Sequence, residues 1–92
     1  MLKTLFNLFR KTDKNSLETL QQRVEQGDAE AMYQLGRFYH IGEVVEADYD
    51  KAMTLYHRAN ALGYPLAASN IGALYDDMGE PEKSVEWFEQ GI

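Results

Sequence analysis

Ninety-two residues, 45% of them hydrophobic, define one small domain that must use its apolar side chains economically. The absence of cysteine removes disulfides and thiolate metal sites and fits a reducing compartment. The net charge of -6 is uneven: residues 1–14 hold Lys3, Arg10, Lys11 and Lys14 against Asp13, a surplus of +3 that leaves -9 elsewhere. A body that acidic repels phosphate, which argues against nucleic acid as a partner.

The chain opens with a basic amphipathic segment, residues 1–14, in which Leu2, Leu5, Phe6 and Phe9 share one helical face. Asn7 interrupts the apolar run and no small-residue cleavage site follows, so it is not a secretory signal. It is also far short of the ~20 apolar residues of a spanning helix. Three readings stay open for it: a cap folded back on the body, an interfacial membrane contact through residues 2–11 with Lys3, Arg10 and Lys11 at anionic headgroups, or a disordered or partner-binding tail. The expected compartment is the cytoplasm.

Residues 15–26 form a predicted capping helix. Asn15 or Ser16 can cap it, Glu18 stands in capping-box spacing from Asn15, and Leu17, Leu20 and Val24 line one side. By position this is the second helix of a unit whose first helix is absent or replaced by residues 2–11.

From Gly27 onward the chain repeats itself. Gly27, Ala31, Leu35, Gly36 and Tyr39 return thirty-six residues later as Gly63, Ala67, Ile71, Gly72 and Tyr75. Lys51, Ala52 and Tyr56 return thirty-two residues later as Lys83, Ser84 and Phe88. A period of this size with helical patterning predicts stacked helix-turn-helix units, residues 27–62 and 63–92. In the first unit Ala31, Met32, Leu35, Phe38 and Tyr39 make one stripe, opened by Asp28 and closed by Gly42. Tyr49, Ala52, Met53, Tyr56 and Ala59 make the next, from Asp48 to Gly63. The small residues Gly36, Ala52, Gly72 and Ser84 are expected where helix axes approach closely. In the second unit Gly79-Glu80-Pro81 stops one helix and starts another.

The pattern Tyr39-x-x-Gly42-x-x-Val45-x-x-Asp48-x-x-Lys51-Ala52-x-x-x-Tyr56-x-x-Ala59-x-x-x-Gly63 resembles the Sel-one-like repeat, a relative of the tetratricopeptide repeat with a longer loop. Asn70-Ile71-Gly72-x-x-Tyr75-x-x-x-Gly79-x-x-x-Lys83-Ser84-x-x-x-Phe88 is more similar to an ordinary tetratricopeptide unit. Val44 departs from the family by standing where its loop usually has a second Gly. The resemblance implies an all-α, right-handed superhelix, or solenoid, of about two repeats plus N-terminal capping helices. It implies a binding scaffold without naming the ligand.

If the helix pairs stack as in such proteins, the first helices line a concave groove. Its candidate partner-binding residues are Tyr33, Arg37, His40, Ser69, Asn70 and Asp76. Tyr33 stands out as an aromatic whose counterpart is Ser69. Asn70 matches the Asn that in peptide-binding relatives bonds a ligand backbone, and bonding to a neighbouring helix is the competing reading. His40 and Asp76 occupy equivalent positions and are expected either to approach across the groove or to stand as solvated surface. Arg37 is the one groove cation, which disfavours clamping of a terminal carboxylate.

His57 is expected to be exposed and idle. Two separated histidines make a transition-metal site improbable, and Glu43, Glu46, Asp48 and Asp50 lack the spacing of a calcium loop. No phosphate loop or nucleophile elbow occurs, so neither a cofactor nor catalysis is expected. Val85, Trp87, Phe88 and Ile92 lie on a last helix whose far face is left uncovered within this sequence, so the expectation is either that the natural chain runs on past Ile92 or that this face meets another copy, which makes these four candidates for self-association. The resulting reading is a non-catalytic module binding a protein or peptide. The alternatives are a peripheral membrane adaptor and a self-associating module, a homodimer.

Overall fold

The boundaries of the helices follow from local chemistry. In the computed structural model, which describes residues 16–91, α1 (Leu17–Glu25) is capped by Ser16, whose Oγ accepts from the Thr19 amide at 3.3 Å. Asp28 caps α2 (Ala29–Ile41) through the Ala31 amide at 3.2 Å, and Asp48 caps α3 (Tyr49–Ala61) through the Lys51 amide at 3.1 Å. These short acceptors take up amides that a first helical turn leaves unpaired. α4 (Ala67–Asp77) has no side-chain cap. α5 (Pro81–Gln90) starts on Pro81, at a position where a missing N–H removes no helical bond.

Gly27, Gly42, Gly63 and Gly79 end the first four helices with φ between +79° and +85°. The capping and membrane readings of residues 1–14, Asn15 as a cap, and Ile92 in a contact face all lie outside the described residues.

Each helix packs on its neighbour in the chain, most closely within the hairpins α2/α3 and α4/α5, with α1 on α2 and α3 on α4. Among the described residues there are five helices and no strand, an all-α solenoid of helical repeats. The two hairpins share more than topology. A Cβ placed on Gly36 would stand 2.8 Å from two ring carbons of Tyr56, and one on Gly72 would stand 3.0 Å from Phe88 Cδ1 and from the Ser84 carbonyl oxygen. In both units an aromatic ring of the second helix therefore lies on the bare backbone of the first. The ammonium of Lys51 sits 5.3 Å from the Tyr39 ring, and that of Lys83 sits 5.5 Å from Tyr75, the same contact repeated.

The core has two parts. Leu20, Val24, Ala31, Met32, Leu35, Leu55, Ala59 and Ala67 join α1 to the first hairpin and to the start of α4, while Ala52, Tyr56, Ile71 and Leu74 join that hairpin to the next. Tyr56, Leu20, Ile71 and Leu74 are fully buried, each stabilising by roughly 1.5–3 kcal/mol relative to exposure. Tyr56 is buried because α4 covers it. Phe88, its equivalent on α5, stays 42% exposed, and Val85 is 55% exposed.

Candidate protein-binding face

Tyr33, Arg37 and His40 are spaced by four and three residues, so they form one line along α2. Asn70 and Asp77, seven residues apart, form the facing line on α4. Tyr56 reaches between them from α3. Its hydroxyl lies 3.1 Å from His40 Nδ1 and accepts from Asn70 Nδ2 at 3.4 Å, while His40 Nε2 lies 2.6 Å from Asp77 Oδ2. The Asp77 carboxylate can only accept, so His40 Nε2 donates to it; Asn70 donates to Tyr56, and the hydrogen bond between the Tyr56 hydroxyl and His40 Nδ1 closes the chain. This polar strap crosses three helices and both repeats. Among the described residues no buried side-chain nitrogen or oxygen lacks a partner.

Two expectations need correction here. The carboxylate that meets His40 belongs to Asp77, not Asp76, because at 100° per residue Asp77 shares the Asn70 face and Asp76 is turned away, exposed. His57 is not idle: it is half-buried, and its ring lies 5.1 Å from that of Trp87 with the planes 83° apart, an edge-to-face contact between α3 and α5.

The remaining candidates are distributed as follows. Tyr33 is half-buried, with ring centroids 6.1 Å from Tyr56 and 4.9 Å from Tyr64, and the exposed Arg37 guanidinium lies 6.0 Å from its ring. Ser69 sits apart from that line: its Oγ is 2.7 Å from where a Cβ on Gly91 would be, at the end of α5. Asn70 bonds a neighbouring helix, and its amide has further donor and acceptor capacity beyond the one bond to Tyr56. On α5, Val85 and Phe88 are exposed while Trp87 turns inward on the second core cluster.

Burial raises the Tyr56 phenol to about 12, against the opposing effect of the Asn70 hydrogen bond. Burial also raises Tyr64, helped by the nearby Glu30 and Tyr33. The Arg23 guanidinium, 2.8 Å from Asp28, holds that carboxyl below its ordinary range, and its bond to the Ala31 amide acts the same way. The face itself therefore presents neutral phenols with Arg37 at its edge and Asp77 toward the far end. Among the described residues no three metal-ligating side chains gather, and no helix is long and apolar enough to cross a membrane.

Sequence inspection missed Tyr56, which its spacing marks only as core. The signal was the contrast with Phe88: a hydroxyl at a core position needs a polar partner, and the next unit supplies one only for Tyr56.

A repeat solenoid with a continuous side-chain face across its first helices is a scaffold of the kind that holds other polypeptides. The Sel1 repeat family model matches in two consecutive units, residues 29–64 and 65–92, and the chain belongs to that family. Sel1 repeats generally mediate protein–protein interaction. The chain is also 35% identical over 80 residues to chitin synthase regulatory factor 4 of Schizosaccharomyces pombe (strain 972 / ATCC 24843). The match covers 86% of this chain and spans 13% of the relative's length. No solved structure matches the chain.

Proposed function

We propose that the face made by α2 and α4 binds a protein or peptide partner and that the chain acts as a non-catalytic interaction module. The observation that carries this reading is Tyr33. It is an aromatic that the next repeat replaces with Ser69, kept half-exposed against Tyr64 beneath the Arg37 guanidinium. Aromatic residues and Arg are the side chains enriched at the energetic centres of interfaces. Asn70 and Asp77 border the same face, so a segment lying there meets an apolar ring, one cation and a carboxylate within one run. The strap through Tyr56 holds the two first helices in register and gives the partner a preorganised surface. A regulatory role like the one in the relative's name fits such a module, which would act by holding a partner and not by transforming a substrate.

Self-association is a second reading, favoured by the exposed Phe88 at a position that α4 covers in the preceding unit. The test for the first reading is quantitative affinity capture with the intact chain, Arg37→Glu, and Glu82→Lys on the exposed side of α5 as a control. Arg37 is exposed, so its replacement leaves the helical signal unchanged. Selective loss of partners with Arg37→Glu supports the α2/α4 face, and equal capture by all three chains removes it.

A further inference from the structure

A second concave feature lies on the first hairpin. Leu35 and Tyr39 of α2 and Asp50, Lys51, Thr54 and Leu55 of α3 line an open depression of about 360 Å³. Leu35 and Tyr39 stand two residues to either side of Arg37, so they leave α2 on the side turned away from it. The floor is apolar, since Leu35 and Leu55 belong to the first core cluster and Tyr39 packs against it. The rim is acidic: Asp50 is exposed there, and the adjoining hollow around Tyr39 and Lys51 adds Glu46 and Asp48. Lys51 offsets only part of that charge, with its ammonium 5.3 Å from the Tyr39 ring.

The second hairpin has the same place with one large difference. Leu35, Tyr39, Asp50 and Lys51 correspond to Ile71, Tyr75, Glu82 and Lys83, and the contact of lysine with tyrosine repeats. Leu55 corresponds to Trp87. The Trp87 indole packs on the cluster that contains Ile71, and the His57 ring of α3 meets it edge-on at 5.1 Å. In the first hairpin neither ring has a counterpart: Leu55 takes the place of the indole, and the residue of α1 equivalent to His57 is the exposed Gln21. The depression lies where the second repeat sets an aromatic ring, and its volume falls within the range of ~300–1,000 Å³ usual for binding pockets.

We propose that the depression receives an indole side chain from a basic segment of a protein partner. The repeat supplies the argument for the ring: Leu35 offers the partner the kind of surface that Ile71 offers Trp87, and an aromatic side chain seated there buries ~150–250 Å². The rim supplies the argument for the charge, because Glu46, Asp48 and Asp50 outnumber Lys51 around the opening. An aromatic anchor in a pocket with a polar border is the arrangement that concentrates binding energy in interfaces. The site is separate from the α2/α4 face, and Arg37→Glu leaves its lining untouched.

The test titrates the intact, isotope-labelled chain with acetyl-Lys-Trp-Lys-amide and follows it by NMR, with acetyl-Lys-Leu-Lys-amide and acetyl-Glu-Trp-Glu-amide as controls. The expected result is saturable shifts at Leu35, Tyr39, Lys51, Thr54 and Leu55, with binding roughly fivefold tighter than that of either control. Leu55→Trp installs the ring of the second repeat and is expected to abolish these shifts. Asp50→Lys alters only an exposed rim position, keeps the helical signal, and is expected to remove the preference for the Lys-flanked peptide. Lining signals that stay still with every peptide overturn the proposal, whether nothing docks or the chain itself already fills the depression. Shifts confined to Tyr33, Arg37 and Asn70 overturn it as well. So does an equal response to the Leu-centred peptide, binding that survives a folded Leu55→Trp, or a charge preference that survives Asp50→Lys. Movement of the lining signals on concentrating the chain without peptide would place a second copy in the depression and contradict the assignment.

Discussion

The Tyr56 hydroxyl lies 3.1 Å from His40 Nδ1, inside a side chain that is fully buried. That single contact joins the second helix of one repeat to the first helix of the same repeat, and Asn70 extends it to the next. A buried phenol without partners would be destabilising, so the strap determines how the two hairpins can stack. Tyr56→Phe keeps the ring on Gly36 and deletes only the hydroxyl. It is expected to lower stability by about 1–2 kcal/mol in urea titration. Tyr49→Phe, on an exposed ring, should leave the midpoint unchanged.

Alkaline pH tests the burial of the same group. The unfolded phenol titrates near 10.0 and the folded one is pushed up to about 12. Below pH 10 both states keep the proton and Tyr56 contributes its full share. Between the two values the unfolded chain releases a proton that the folded chain retains, so stability falls as pH rises, by roughly 2–3 kcal/mol across that window. Tyr64 adds a loss of the same sign. Unfolding free energies of the wild type should therefore decline more steeply above pH 10 than those of Tyr56→Phe.

The glycine contacts predict an order of severity. Alanine in a helix interior gains about 1 kcal/mol over glycine, yet at position 36 its methyl would drive into a ring that Ile71 and Leu74 hold in place. Gly36→Ala should be destabilising by roughly 1–3 kcal/mol. At position 72 the ring partner is Phe88, which is exposed and free to swing, leaving only the Ser84 carbonyl as a fixed obstacle. Gly72→Ala should cost clearly less. Thermal melting of the two variants side by side checks the order.

Asp28 serves two purposes, capping α2 and pairing with Arg23 of α1. Asp28→Ala should cost about 1 kcal/mol or somewhat more. Because Arg23 holds the carboxyl below its usual range, its contribution is present above the unfolded value of 3.8 and is lost as pH falls through the lower folded value. Asp28→Asn keeps a capping oxygen and should flatten that acid limb in a pH series of urea midpoints.

The repeat and its capping chemistry were legible because they depend on neighbours in sequence: Asp28, Asp48 and Pro81 act on their own first turns. The close approaches at Gly36 and Gly72 were legible because the residues recur in register. What escaped depended on relations between helices. Leu55 lies off the predicted stripe of α3 and is buried, because α3 packs against both α2 and α4 and so hides a wider arc than one stripe. The partner of His40 was misplaced by one residue, since equivalence between repeats says where a residue sits in its own unit and not which side of the next helix faces it. His57 and Trp87 meet across hairpins, a contact that no spacing encodes.

The most direct test of the account is NMR shift mapping of the isotope-labelled chain titrated with the minimal segment of a captured partner. The account predicts saturable shifts concentrated at Tyr33, Arg37, Tyr64, Asn70 and Asp77, with the amides of α5 beyond Glu82 nearly still. Shifts concentrated instead on Val85 and Phe88, with the α2/α4 face unmoved, would contradict it.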